Sequence, residues 1–468
     1  MNIFKFSNPQ ILKLLIMYKA VSPLDGRYAS RMTKHGDYFS EYALMYYRCK
    51  MELLYILALD ETKLFAPLNE QEKANIHDCI NNFSDTDYKR IKAIEDVTKH
   101  DVKACEMFLR ERIGLRDVNM IHFALTSEDA NNLAYTFMLK GYLEQVQLPQ
   151  IKQVLEKLME LAEKWKHSPF PCRTHGQKAS PSTAGKEIAV YINRIARVYK
   201  DLKNCRFYGK LGGAVGNYSA MLAAFPNFDW LTFCHNFMLK QGIEPNIATT
   251  QIEDHDSWAG YFDLTRRLNN IVMDLDVDCW LYISYELFSE KSNANEVGSS
   301  TMPHKVNPIN FENSEGNLML SNGMLTVMSD KLCRSRMQRD LSDSTVQRNM
   351  GVALGHAYLA IGETMRGLEK LQLNEGNCIA ELNDSPELLA EPIQTVLKIV
   401  GVDDPYTLLK KASRGQKPTK ESLVELVNGL NIDQAIKDRC NAMESVNYIG
   451  DAVRICDLVL KQTKELLK

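Results

Sequence analysis

Apolar side chains in this chain recur at three- and four-residue steps over long stretches, the spacing that lines one face of an α-helix. Trp258, Phe262, Thr265, Leu268, Val272, Leu275, Cys279 and Ile283 form one such stripe, and Leu148, Ile151, Val154, Leu155, Leu158 and Leu161 form another. Proline, the strongest helix breaker, is absent between Pro245 and Pro303 and again between Pro308 and Pro386. Long helices are expected in both stretches. Taken as one continuous helix, the first would reach about 80 Å, the length of a bundle spine shared between subunits. Alternation of period two is scarce, and the β-rich pieces, such as residues 242–250, are short and flanked by loops. The pattern predicts an all-α protein with a long central helical bundle.

Polar or proline-bearing breaks near residues 116–119, 167–182, 209–227 and 293–310 mark connectors or site loops. From Asn374 onward the helical runs shorten, with turn signals at residues 383–386, 402–405 and 415–418, which predicts a small separate C-terminal domain. The expected division is an N-terminal helical domain over 1–124, a central long-helix bundle over 125–372 and a small helical domain over 373–468. Residues 1–17 carry an apolar patch too short for a membrane span and without a small-residue cleavage site. They read as an extension. Met17 is available as an internal start, and lysines without acids leave an organelle-targeting role open. No internal repeat or low-complexity tract is evident.

Composition narrows the function. At 468 residues and 45% apolar content, the chain is long enough for two or three domains with a large core. A net charge of −3 argues against general binding to nucleic acid or to an anionic membrane, while local cation clusters can still hold a small anion. Eleven scattered cysteines without a C-x-x-C pair fit reduced thiols in a cytosolic protein. Histidines and cysteines are not clustered at metal-ligand spacing, and no dinucleotide or pyridoxal motif appears, so neither metal nor cofactor is expected.

The run Gly298-Ser299-Ser300-Thr301-Met302-Pro303-His304-Lys305-Val306-Asn307-Pro308 combines glycine, hydroxyls, a lysine and prolines in one polar stretch, the composition of a mobile active-site loop. A serine acts as a general base only when a nearby cation and loop N–H groups stabilise its alkoxide, and Lys305 supplies the cation. His175, within Arg173-Thr174-His175-Gly176-Gln177, lies between Pro171 and Pro181 and is presented by a loop or helix start. A lone histidine is usually structural, yet imidazole is well suited to pass a proton to a leaving amine, and Glu312 is available to orient it. Thr98 to Val102 and Thr126 to Asp129 read, standing alone, as helix caps and solvated faces. Ser22 to Tyr28 reads as a turn ending in Arg27 beside Tyr28, a pair able to fork onto phosphate oxygens and stack on a ring. Ser344 and Arg348 lie one helical turn apart and, with Arg339, add phosphate donors. The glycine-rich stretch from Gly209 to Asn217 lacks the Walker A order and a strand-helix setting, so it reads as a tight connection.

These strings, in this order and spacing, resemble the adenylosuccinate lyase family of the fumarase, aspartase and argininosuccinate lyase superfamily, its bacterial type most of all. The resemblance runs from Val21 to about Gly450 and covers Ser22 to Tyr28, His100 to Ala104, Thr126 to Asp129, Arg173 to Gln177, Gly213 to Tyr218, Thr249 to Glu253, Gly298 to Asn317 and Gln338 to Asn349. It implies a three-domain fumarase/aspartase-like fold whose long helices form a tetramer core. It also implies elimination of fumarate from adenylosuccinate to give AMP, and from the succinyl-carboxamide ribotide SAICAR to give AICAR, in purine biosynthesis. By the same resemblance Ser299 takes the proton from the succinyl carbon, His175 protonates the departing nitrogen and Glu312 supports His175. Lys305 and Asn307 hold carboxylate oxygens, with Thr126, Ser127 and Ser300 as further donors. Arg27, Tyr28, Arg339, Ser344 and Arg348 grip the nucleotide, while Lys99, His100, Asp101, Thr174, Gln251 and Asn313 complete the set. Three subunits of a homotetramer build each site in this family, which is cytoplasmic and uses no cofactor.

Two positions depart from the pattern. Lys178 stands where bacterial relatives often carry proline, and Lys99 where the closest have asparagine; both bear on local loop shape and charge. The competing readings are argininosuccinate lyase or fumarase, whose substrates lack the phosphate that Arg27, Tyr28, Arg339, Ser344 and Arg348 would grip, and a catalytically silent helical scaffold. Retention of Ser299, His175 and Lys305 counts against the scaffold.

Overall fold

A computed structural model of the chain describes residues 19–291, 306–412 and 418–468. It divides into two compact units: Met1–Gln150, Tyr199–Asn270 and Gly316–Ala360 in the first, and Ile151–Val198, Ile271–Glu315 and Ile361–Lys468 in the second. Helices dominate both, and the strands are two or three residues long.

The expected stripe lies on the helix Asp256–Ser284, where Trp258, Phe262, Thr265, Leu268, Val272, Leu275 and Cys279 are buried. The proline-free stretch is not one helix of about 80 Å, however. This helix has 29 residues, which rise about 44 Å. It stops at Glu286, whose φ of 58° places it in the left-handed region. There Glu286 N–H donates to Ile283 O at 3.0 Å and Leu287 N–H to Tyr282 O at 2.9 Å, the paired bonds of a Schellman cap. Periodicity and proline alone do not reveal such a stop, because the terminating residue is a glutamate rather than glycine.

In the first unit, Glu41–Thr62 packs on Ser127–Tyr142 and Asp85–Thr98 packs on Asp101–Arg112. Side chains fix several helix starts in this unit: Ser40 Oγ accepts from Ala43 N–H ahead of Glu41–Thr62, and capping boxes Asn69–Glu72 and Ser84–Asp87 open Glu70–Asn81 and Asp85–Thr98. The buried faces of these helices join Leu211, Trp230, Phe237 and Ile243 in one apolar cluster. Ahead of Pro149, residues Leu143–Gln147 form a π turn in which Leu148 N–H reaches Leu143 O. The wider turn accommodates a proline whose ring would strike the carbonyl four residues back in a regular helix. Strand Tyr208–Gly209 pairs in parallel with Glu244–Pro245.

In the second unit, the helix Leu148–Trp165 buries Ile151, Val154, Leu155, Leu158 and Leu161, the second expected stripe. The break at residues 167–182, expected as a connector or site loop, carries two small antiparallel pairs, Pro169–Phe170 with Ser182–Thr183 and Arg173–Thr174 with Gln177–Lys178. Phe288–Glu290 pairs with Leu371–Leu373. Beyond them the helices shorten as expected. Leu389, Ile393, Val396, Leu397, Leu409, Leu423, Val427 and Cys440 make a small core of their own. All eleven cysteines are unpaired. Among the described residues, no helix is long and apolar enough to cross a membrane and no cluster of three metal-binding side chains occurs.

Candidate active site

Three helix junctions of the first unit converge on a cleft of about 510 Å³. The first is the break between Asp85–Thr98 and Asp101–Arg112. Lys99 turns the chain at a left-handed φ of 54°, and His100 then caps the next helix. His100 Nδ1 accepts from Lys103 N–H at 3.2 Å, so the neutral ring carries its proton on Nε2, away from the cap. The second junction is the start of Ser127–Tyr142, where Asp129 Oδ2 accepts from Thr126 N–H at 2.8 Å and so fixes the cap at Thr126. The third is the irregular stretch that carries Arg339 into the short helix Ser342–Gln347, which holds Ser344 and ends at Arg348, all three on the same wall. Gln251 completes the lining.

Four cations, Arg48, Lys99, Arg339 and Arg348, face this cleft against the two carboxylates of Asp101 and Asp340. The balance suits an anionic ligand. Asp101 Oδ2 joins two of the cations, 2.9 Å from Arg48 Nη1 and 2.6 Å from Arg348 Nη2. Burial by itself would raise this carboxyl; the Arg48 charge and the Arg348 hydrogen bond outweigh it and hold the pKa down to about 2. Arg48 is 2% exposed and also donates through Nε to Asn131 Oδ1 at 2.8 Å. Asp340 is held well below the usual carboxylate range by the Ser342 hydroxyl and the amides of Ser342 and Arg336, so its charge organises the loop.

Beneath the cleft, Arg339 Nη1 lies 3.0 Å from Glu128 Oε2. Burial lifts the Glu128 carboxyl to about 7, with Arg339 opposing and Asp343 adding to the rise. Burial thus works against the negative charge that faces Arg339. The neighbouring Asp129 binds the glycine-rich connection: its carboxylate accepts from Gly212 N–H at 3.0 Å and Gly213 N–H at 3.1 Å and pairs with Lys210 Nζ at 2.8 Å. Those amides are therefore occupied by the protein's own carboxylate, in agreement with the reading of this stretch as a connection. Gly216 has a φ of +76°, and an added Cβ would sit 2.5 Å from Thr249 O, so a side chain is excluded there.

In the second unit, His175 and Gly176 form the two-residue tip of the hairpin Arg173–Thr174 and Gln177–Lys178. Their φ values of 53° and 73° are those of a type I′ turn, the tight turn that matches strand twist. Thr174 and His175 are exposed. Glu312, in the first turn of Ile309–Leu332, accepts at Oε1 from Trp280 Nε1 at 3.0 Å. Asn307 and Asn313 are partly buried beside it in sequence. Ser299, Ser300 and Lys305 lie outside the described residues.

The structure thus gathers nine sequence-derived positions, Lys99, His100, Asp101, Thr126, Ser127, Gln251, Arg339, Ser344 and Arg348, into one cleft. Arg27 and Tyr28 are not among its lining residues; the Arg27 guanidinium lies 5.8 Å from the Tyr28 ring, which packs with Leu24, Met32 and Leu359. Sequence reasoning missed Arg48, Asn131 and Asp340. A signal existed only for Asp340, one residue from Arg339. Arg48 sits inside a tyrosine- and leucine-rich helix, where an arginine has no distinguishing pattern.

The family model described as Lyase matches residues 26–322, and the one described as Adenylosuccinate lyase C-terminal matches residues 335–449. The adenylosuccinate lyase of Haemophilus influenzae is 45% identical over 446 residues, covering 94% of this chain and 98% of that protein. That of Escherichia coli K12 is 44% identical over 449 residues, with the same coverage of 94% and 98%. Among solved structures, the 3-carboxy-cis,cis-muconate lactonizing enzyme of Pseudomonas putida superposes with a TM-score of 0.77 at 18% identity, over 93% of this chain and 98% of that one. A fumarate lyase from Mesorhizobium sp. BNC1 gives 0.75 at 18% identity, over 92% and 97%. At such identity these two share the fold.

Proposed function

From the premise that this chain belongs to the adenylosuccinate lyase family, within the fumarase/aspartase superfamily, we propose that it cleaves adenylosuccinate to AMP and fumarate by β-elimination. The observation that carries this reading is the cationic cleft, in which Arg339, Ser344 and Arg348 meet Lys99, His100, Asp101, Thr126, Ser127 and Gln251. A substrate with a phosphate and carboxylates suits that balance of charge. The same phosphoribosyl and succinyl ends make SAICAR a second substrate, yielding AICAR, in purine biosynthesis.

The reaction needs a base for a weakly acidic C–H, a sink for the resulting negative charge and an acid for the leaving nitrogen. Ser299 takes the proton from the carbon beside the carboxylate. The electron pair delocalises into that carboxylate, whose doubly charged aci form is stabilised by Lys305 and Asn307. The C–N bond then breaks as the pair forms the fumarate double bond, and His175 gives its proton to the departing nitrogen.

Sites built by three subunits of a homotetramer belong to the family resemblance, and we carry that assembly over to this chain. Exposed Ile309, Met319, Leu320 and Val327 on one long helix support such an assembly, since apolar side chains of this size gain from burial against another copy. Eleven unpaired cysteines support a reducing, cytoplasmic setting. We further keep, as a proposal, the division into an N-terminal helical domain over 1–124, a central long-helix bundle over 125–372 and a small helical domain over 373–468.

The test is direct. Purified protein mixed with adenylosuccinate and followed by ultraviolet absorbance should yield AMP and fumarate in equal amounts. Absence of both products from folded protein would overturn the assignment.

A further inference from the structure

The His175 hairpin is too small to hold itself. Each strand contributes two residues, and a two-stranded hairpin of that size has little stability without outside contacts. One rung of support comes from Ala179 N–H, which donates to Cys172 O at 2.9 Å. The remainder comes from side chains at the base. Arg173 and Lys178 face each other across the two strands, and both turn to the end of the helix Glu375–Asn383. Arg173 Nη2 lies 2.7 Å from Glu381 Oε1, with its guanidinium 4.2 Å from the centre of the Tyr285 ring. Lys178 Nζ donates to Ser385 Oγ at 2.8 Å and lies 3.9 Å from the same Glu381 oxygen. Ser385 is fully buried, and its hydroxyl donates to Glu381 O at 2.8 Å. One carboxylate thus grips both strands.

We propose that Glu381, with Arg173, Lys178 and Ser385, forms a brace that positions His175 for proton transfer, making Glu381 and Lys178 positioning residues for the reaction. This rests on the role assigned to His175 above. Only the pair Thr174 and Gln177 separates the braced rung from the turn that carries the imidazole. A shift at the base is therefore passed to the tip with almost no chain in between to absorb it. A proton donor must lie within hydrogen-bond reach of its acceptor, and a displacement of about 1 Å costs on the order of a hundredfold in rate. Lys178 gives the second strand its own hold on the same helix end, through Ser385.

The test is a double-mutant cycle in the full-length enzyme with adenylosuccinate as substrate. Glu381→Gln should lower kcat about tenfold or more while KM changes less than about twofold. In the His175→Ala background the same change should have less than about a twofold effect, because the group being positioned is gone. Wild-type kcat in Glu381→Gln, or an equal loss in both backgrounds, would overturn the brace. Should Glu381→Gln fail to fold, Lys178→Met at the outer side of the brace is put through the same cycle with the same criteria. A wild-type chain inactive on adenylosuccinate, or a fully active His175→Ala variant, sinks the functional reading itself and is distinguishable from failure of the brace alone.

Discussion

The cleft of the first unit and the hairpin of the second place charge in opposite ways. In the cleft, an anchoring subset of the groups is fixed by burial: Arg48 is 2% exposed, Asp101 ties it to the more exposed Arg348, and the supporting Lys210 and Asp129 side chains are almost wholly withdrawn from water. In the hairpin, the chemical group stands exposed at a turn and is held from behind by an ion cluster at the base. The contrast follows from the two tasks. On the reading proposed above, a phosphate keeps its charge throughout the reaction, so its partners gain from being set before the ligand arrives. On the role proposed for His175, a proton donor must come within hydrogen-bond reach of its acceptor, and a short, exposed turn presents it to one.

The strongest way to break this division is to remove the donor. His175→Ala should lower kcat by about a thousandfold or more, with KM within a few-fold of wild type, because the cleft still holds the substrate. Mixing that variant with Ser299→Ala under conditions of subunit exchange should restore part of the activity. A large rise in KM with kcat preserved would assign His175 to binding instead.

Stability should separate the two regions next. Lys210→Met leaves Asp129 buried with its cation removed, and should destabilise the protein by about 3–5 kcal/mol in denaturant titration. The more exposed Arg173→Met should cost clearly less, since water reaches Glu381.

A pH titration sharpens the comparison. The Asp101 carboxyl is held at about 2 in the folded chain, below its ordinary value near 4. The stability it contributes is present in full above about pH 4 and is lost as the pH falls from there towards 2. Acid unfolding of Asp101→Asn should lack this component; an unchanged acid limb would mean that the two arginines do not hold the charge.

The smallest effect is expected at Lys99. Asparagine tolerates its left-handed φ of 54° better than lysine does, so Lys99→Asn should stabilise the fold by roughly 0.5–1 kcal/mol, measured by thermal unfolding. No gain would show that the lysine side chain compensates locally.

Sequence by itself determined the helical class, the two buried stripes, the shortening of helices after Asn374 and most of the cleft. These follow from local rules, since helical periodicity and caps are written within a few residues of one another, and the strings of the family kept their order. Only the tertiary structure decided where the long helix ends, because a glutamate in the left-handed region leaves no mark in composition. It alone showed that Thr126 to Asp129, legible as a cap, also anchors a glycine-rich loop through Asp129, and that Arg48 belongs to the cleft. Arg348 and Asp101 stand 247 positions apart. A charge shows its own sign in the sequence, but its partner, its burial and hence its pKa are set by which distant helix ends the core brings within a few ångströms of it.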